Sequence, residues 1–73
     1  MRNYHINLFF SKEDEGYIAD IPDLSFCSAY GKTPEEALKE VLKAQNVWIE
    51  VAISEGKSVP EPKYTPLIYK MVG

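Results

Sequence analysis

The longest structural signal in this 73-residue sequence covers residues 33–56 and reads TPEEALKEVLKAQNVWIEVAISEG. Thr33 can accept a hydrogen bond from a free backbone N–H, Pro34 suits the first helical position, and the carboxylate of Glu36 can reach back to the N–H of Thr33. The glycine that closes the stretch tolerates the left-handed conformation that commonly follows a helix. The stretch therefore predicts a helix over residues 34–55.

The two halves of this helix differ in their apolar pattern. The first half carries a single apolar stripe, whereas residues 47–53 are apolar over most of the circumference apart from Glu50. One sheet cannot cover more than one face of a helix, so we expect a second chain to cover the rest. The residues predicted at this interface are Trp48, Ile49, Ala52, Ile53 and, from the loop before the helix, Phe26.

Three short segments before the helix have the composition of strands. Residues 4–10 alternate, with Tyr4, Ile6, Leu8 and Phe10 on one face, which is typical of a β-strand. The predicted strands cover residues 4–10, 17–21, 26–30 and, after an extended linker at 58–62, residues 64–72. The loop 11–16 joins the first two as a hairpin. This β-β-β-α-β order predicts an α+β fold, with one helix packed on a small, mostly antiparallel sheet.

The length predicts one domain over residues 1–73, and a chain this short buries only about 60% of its unfolded surface. Cys27 is the only cysteine and His5 the only histidine, which excludes an internal disulfide and a Cys/His metal cage. Association is the remaining way to stabilise so small a domain, so we expect a homo-oligomer, a dimer or a tetramer.

The charge pattern indicates the class of partner. Eight Lys and Arg against eleven Asp and Glu give a formal net charge of −3, and the basic residues are scattered. This balance suits a basic protein better than nucleic acid, although ordinary solubilising charge explains it equally well. The sequence contains neither a membrane-spanning segment nor a signal peptide, and its single thiol is unpaired, so we expect a cytoplasmic protein.

One acidic cluster could carry chemistry. Residues 13–15, with Asp20 and Asp23, could hold Mg²⁺ in a nuclease, but a solvated hairpin tip is the more economical interpretation. His5 lacks a nucleophile at a recognisable spacing, and Cys27 has apolar neighbours typical of a core residue. We therefore predict a protein that is not an enzyme, with no catalytic residue, no metal and no cofactor.

Four motifs together resemble the HicB family, the antitoxins of HicA–HicB toxin–antitoxin modules. They are GYIADIPDL at 16–24, Cys27, YGKTPEEAL at 30–38 and GKSVPEP at 56–62. The resemblance implies a β-β-β-α-β domain described as a degenerate RNase H-like fold without its catalytic carboxylates. It also implies that the domain binds and occludes a small basic HicA-like toxin, an mRNA endonuclease that uses a histidine. The alternative is an orphan, self-associating regulatory module with no toxin partner.

The sequence departs from the family pattern at two places. Phe26 stands where the family commonly has glycine, so the turn must differ or the ring must find an apolar pocket, for example in a partner. Many family members also carry a C-terminal DNA-binding domain, for which the residues after the last predicted strand leave no room. We therefore expect a short form of the family, limited to the N-terminal domain, with no direct DNA binding by this chain.

Overall fold

The computed structural model describes residues 3–65; residues 1–2 and 66–73 lie outside the description. Its elements are the strands β1 (Asn7–Ser11), β2 (Gly16–Asp20) and β3 (Ser28–Gly31), followed by the helix α1 (Pro34–Ser54). The sheet has the order β1-β2-β3 with both pairs antiparallel, which confirms the α+β arrangement. The predicted strand over 64–72 falls mainly outside the described residues, and residues 64 and 65 have no regular structure.

The bounds of all three strands differ from the prediction, and β2 lies one residue earlier, at 16–20 rather than 17–21. The first strand pairs over 7–11 rather than 4–10, because its partner β2 ends at Asp20, opposite Asn7. The third strand begins at residue 28 rather than 26, because Phe26 has a φ of 59° and left-handed backbone cannot continue a strand.

The helix covers one face of the sheet. Leu8 lies opposite Ala19 and Phe10 opposite Tyr17, so these four side chains share a face, as the predicted alternation requires. The buried cluster consists of Tyr4, Ala19, Ile21, Leu24, Cys27, Ala37 and Val41. Cys27 is 5% exposed, which confirms that it is a core residue.

Close contact between β3 and α1 depends on Gly31. A Cβ atom at this position would lie 2.2 Å from the backbone nitrogen of Ala37, in the first turn of the helix. Any larger residue would push the helix away from the sheet, so the absence of a side chain allows β3 and α1 to approach.

The helix ends largely as predicted. Thr33 Oγ1 accepts a hydrogen bond from the Glu36 N–H at 3.1 Å, and α1 ends at Ser54, one residue before the predicted end. The carboxylate of Glu36 was expected to reach the N–H of Thr33. Its Oε1 instead accepts the N–H of the preceding residue, Lys32, at 2.8 Å. Gly56 follows with a φ of 73°, the left-handed conformation expected of it.

After the helix, the chain returns to the beginning of β1. The Asp23 carboxylate accepts the backbone N–H groups of Lys63 and Tyr64, each at 3.2 Å. The Tyr4 hydroxyl donates to the carbonyl of Pro60, and the rings of His5 and Tyr64 lie 4.7 Å apart. These contacts hold residues 60–64 beside residues 4 and 5.

Candidate partner-binding surface

Phe26 is the most exposed large apolar residue among residues 3–65, with its side chain fully open to solvent. Its backbone is left-handed, a conformation that costs a residue with a Cβ roughly 1–2 kcal/mol. Three backbone hydrogen bonds hold the surrounding turn: Ile21 N–H to the Cys27 carbonyl, Leu24 N–H to the Ile21 carbonyl, and Cys27 N–H to the Leu24 carbonyl. The turn thus keeps a geometry suited to glycine and presents a phenyl ring to the solvent.

Two clefts flank this ring. One has a volume of about 460 Å³ and lies between the start of β3 and α1; the other, of about 410 Å³, continues along the helix. Trp48 lines both clefts, and its indole N–H donates to the Ser25 carbonyl at 2.9 Å, which fixes the ring. We call this surface the Phe26 groove and define it by Phe26, Ala29, Ala44, Val47, Trp48 and Val51.

The structure separates the residues predicted at the interface. Phe26, Trp48 and Ala52 come together at the clefts of the Phe26 groove, although Ala52 is only 5% exposed. Ile49 packs against the buried cluster and lines neither cleft. Ile53 is exposed but lines neither cleft.

Val47 and Val51 lie in the stretch 47–53 that was predicted to be covered by a second chain, but they were not among the named interface residues; both are exposed and line the groove together with Trp48. Their separation by four residues places them on the same side of a helix. That spacing is the sequence signal that could have identified them.

A second surface gathers charge at one end of the sheet. The hairpin tip lies beside the end of β3, which leads into α1, and the Tyr30 hydroxyl of β3 donates to the carbonyls of Asp14 at 3.2 Å and Glu15 at 3.3 Å. The charged side chains at this end are Lys12, Glu13, Asp14, Glu15, Lys32, Glu35 and Glu36.

Five carboxylates against two lysines give this end a formal charge of −3, the same as that of the whole chain. The rest of the chain balances six basic against six acidic residues. We call this region, residues 12–15 and 32–36, the acidic end.

The remaining candidates for chemistry have structural contacts. Asp23 binds the two backbone N–H groups described above, and His5 Nε2 lies 2.7 Å from Asn7 Oδ1. Within residues 3–65, no group of three His, Cys, Asp or Glu residues is arranged to hold a metal ion. The hypothesis of a Mg²⁺-dependent nuclease that uses Asp20 and Asp23 therefore gains no support from the geometry.

Cys27 has the environment of an inert thiol. Its burial raises the pKa of the thiol, and the negative charge of Asp20 raises it further. The thiolate is the nucleophilic form of cysteine, so both effects oppose reactivity.

Comparison with known proteins identifies the family. The model of a family described as "HicB-like antitoxin of bacterial toxin-antitoxin system" matches residues 4–70. This chain belongs to that family. Membership of this family supports an antitoxin role for the chain. Antitoxins are regulatory proteins rather than enzymes, and the general class of partner for an antitoxin is a toxin.

Two relatives come from Synechocystis sp. The UPF0150 protein ssl0259 is 36% identical over 58 residues, covering 80% of this chain and 78% of the relative. The UPF0150 protein ssr1765 is 37% identical over 59 residues, covering 80% of this chain and 75% of the relative. No solved structure matches the chain, so the RNase H-like relationship stays a prediction.

This HicB-like chain thus carries two surfaces of different character. The acidic end concentrates negative charge, and the Phe26 groove is apolar. In the part of the chain that the structure describes, no helix is both long and apolar enough to cross a membrane.

Proposed function

We propose that this protein is an antitoxin that binds and occludes a small basic toxin of the HicA type, an mRNA interferase. Membership of the HicB-like antitoxin family supports the antitoxin role. The observation that carries the choice of partner is the acidic end, which concentrates a formal charge of −3 on a projecting hairpin and the adjacent helix start. The proposal includes a cytoplasmic location and assigns no DNA contact to this chain.

Electrostatics suggests how the acidic end would inhibit such a toxin. An enzyme that cleaves mRNA must bind a polyanion, and proteins bind nucleic-acid phosphates chiefly through lysine and arginine. A cluster of exposed carboxylates is complementary to the same basic surface and accelerates encounter with it. An antitoxin bound there would exclude the RNA from the toxin, without any chemistry of its own.

The test removes charge from the hairpin tip. Glu13→Gln combined with Glu15→Gln keeps the size of both side chains and retains the hydrogen bond from Ser11 Oγ to Asp14 at 2.8 Å. We expect roughly tenfold weaker binding to a purified HicA-like toxin at low salt, since each exposed charge pair contributes up to about 1 kcal/mol. Titration calorimetry measures the binding, and cleavage of a labelled RNA measures the inhibition.

A matched control removes the same charge elsewhere. Glu50→Gln combined with Glu61→Gln should bind within about twofold of the unmodified protein, because both residues lie outside the acidic end. Equal losses in the two double variants would refute the acidic end as the binding surface. Failure of the unmodified protein to bind or inhibit the toxin would refute the proposed function itself.

The second candidate function is that of an orphan regulatory module that only self-associates. The Phe26 groove favours it, because an exposed apolar groove suits a protein partner irrespective of a toxin. A pull-down from native lysate separates the two functions. Stoichiometric recovery of one small basic protein supports the antitoxin, and recovery of the bait alone supports the orphan module.

A further inference from the structure

We infer that the face of the sheet opposite the helix supplies the apolar part of the surface that binds the basic toxin. The inference rests on the proposed function and deepens it, because it names the contact that the toxin makes beyond the acidic end. We call this face the open sheet face. Its residues in the three strands are Asn7, Phe9, Ser11, Gly16, Ile18, Asp20, Ser28 and Tyr30.

The register of the sheet places three apolar side chains in one row across this face. Phe9 lies opposite Ile18, and Ile18 lies opposite Tyr30. Successive side chains of a strand point to opposite faces, and Ala19, the residue after Ile18, belongs to the buried cluster that includes Ala37 of the helix. Neighbouring strands lie about 4.8 Å apart, so the row across three strands is roughly 10 Å long.

The row is exposed to solvent. The helix α1 is the only helix among residues 3–65, and it packs on the opposite face. Phe9 is therefore 50% exposed and Tyr30 41% exposed. An antiparallel sheet covered on one side commonly carries polar residues on its solvated side. Two aromatic residues flanking an aliphatic one instead match the centre of a protein interface, where Phe and Tyr are enriched.

The apolar row adjoins the acidic end. The Tyr30 ring extends from the row over Gly16, because a Cβ atom at Gly16 would collide with that ring. Beyond Gly16 the Tyr30 hydroxyl donates to the carbonyls of Asp14 and Glu15. These hydrogen bonds hold the backbone of the hairpin tip, which carries three carboxylates at residues 13–15, beside the row. A single partner can therefore contact both.

The charge of this surface favours a basic protein as its occupant. The open sheet face carries Asp20, and the three strands contain no lysine or arginine. A second copy of the chain would place like charges on both sides of the contact, and nucleic acid would meet the same repulsion. A basic toxin gains electrostatic attraction at the hairpin tip and buries Phe9 and Tyr30 at the centre.

The first experiment replaces Phe9 with threonine and measures binding of purified HicA-like toxin by titration calorimetry. Threonine retains the preference for a strand and removes the ring. We expect Phe9→Thr to bind the toxin roughly thirtyfold more weakly, as loss of a central aromatic residue does at other interfaces. Inhibition of RNA cleavage should weaken in parallel.

Phe10→Thr is the matched control. Phe10 is the next residue of β1 and is 57% exposed, but it lies on the helix side of the sheet, with its ring centroid 5.3 Å from that of Tyr17. The variant removes the same ring from the same strand, and it should bind the toxin within about twofold of the unmodified chain, as expected of a substitution outside the contact. Circular dichroism establishes that both threonine variants are folded under the conditions of the calorimetry.

A second measurement does not depend on a loss of binding. The chain contains three phenylalanines, each on a different surface: Phe9 on the open sheet face, Phe10 on the helix side, and Phe26 in the Phe26 groove. Incorporation of para-fluorophenylalanine gives each ring its own fluorine resonance, which single substitutions to tyrosine assign. Saturation with toxin should shift the Phe9 resonance more than the other two.

The outcomes separate the inference from the proposed function. Unaltered toxin binding by Phe9→Thr, equal losses in the two threonine variants, or a larger resonance shift at Phe10 or Phe26 would overturn the inference alone. A Phe9 resonance that moves with protein concentration but not with toxin would assign the open sheet face to a second copy instead. If the unmodified protein does not bind the toxin, the proposed function fails, and the inference fails with it.

Discussion

Phe26 illustrates how one backbone angle determines the exposure of a side chain. A residue at φ 59° cannot continue the strand, so its ring leaves the sheet rather than joining the buried cluster that the next residue, Cys27, enters. The sequence marked Phe26 as unusual for its position. It could not show that the turn keeps its left-handed angle, because that depends on hydrogen bonds between residues 21 and 27.

The buried thiol of Cys27 should make stability depend on alkaline pH. Its pKa is raised in the folded protein, so the thiol is protonated in both states below about pH 8. Above that pH the unfolded thiol ionises first, which favours unfolding until the folded thiol ionises as well. We expect the free energy of unfolding to fall more steeply above pH 8.5 in the unmodified protein than in Cys27→Ala.

Urea denaturation at intervals from pH 7 to 10 measures this difference. The Cys27→Ala variant contains every other titrating group, so the tyrosines and lysines contribute equally to both curves. If the free energies of unfolding of the two proteins ran parallel across this range, burial would not raise the pKa of the Cys27 thiol.

At the scale of the elements, the N-terminus of α1 depends on one hydroxyl. Thr33 Oγ1 satisfies the N–H of Glu36, one of the four N–H groups that a helix leaves without an internal partner. Thr33→Ala should therefore lower the free energy of unfolding by about 1 kcal/mol. Thr33→Ser retains the hydroxyl and should lose less than half as much.

Chemical denaturation with helix-sensitive circular dichroism measures both variants. Ser54→Ala is a control at the opposite end of the helix, where the hydroxyl donates to the Val51 carbonyl rather than capping a free N–H. A loss in Ser54→Ala as large as that in Thr33→Ala would contradict the capping argument.

The elements also show which parts of the fold are readable from sequence. The helix was predicted within one residue, because Thr33, Pro34 and Gly56 determine its ends through local backbone chemistry. The boundaries of β1 and β3 shifted by one to three residues, because β1 begins opposite the last residue of β2 and β3 begins only after the left-handed backbone of Phe26. Pairing joins residues distant in the chain, and a single sequence contains little information about it.

At the scale of the whole molecule, the fold determines which charged side chains lie close together. Counted along the chain, residues 1–30 and residues 34–55 each carry a formal charge of −3, which suggests an acidic body throughout. The antiparallel sheet instead brings residues 12–15 beside 32–36, and the rest of the chain is neutral. The topology therefore produces the acidic end, which explains why the sequence predicted an acidic partner surface without its location.

Because the charge is concentrated at the acidic end, salt should affect toxin binding and self-association to different extents. Raising sodium chloride from 50 to 500 mM should weaken toxin binding at least tenfold, because salt screens exposed charges. The same change should alter self-association less than threefold if it uses the Phe26 groove, because that groove is apolar. Calorimetry and sedimentation measure the two constants, and a salt-sensitive dimer with a salt-insensitive toxin complex would contradict both assignments.

The contacts of Asp23 with residues 63 and 64 have a practical consequence for labelling. They hold residues 63 and 64 in place, with the Tyr64 ring against His5 just before β1, while the acidic hairpin follows the other end of that strand. A fluorophore coupled to a cysteine introduced at Lys63 would therefore stand more than one strand length from the charged tip, since the five residues of β1 alone span roughly 17 Å. Energy transfer from such a site to a labelled toxin would report the orientation of the proposed complex without disturbing the residues proposed to bind the toxin.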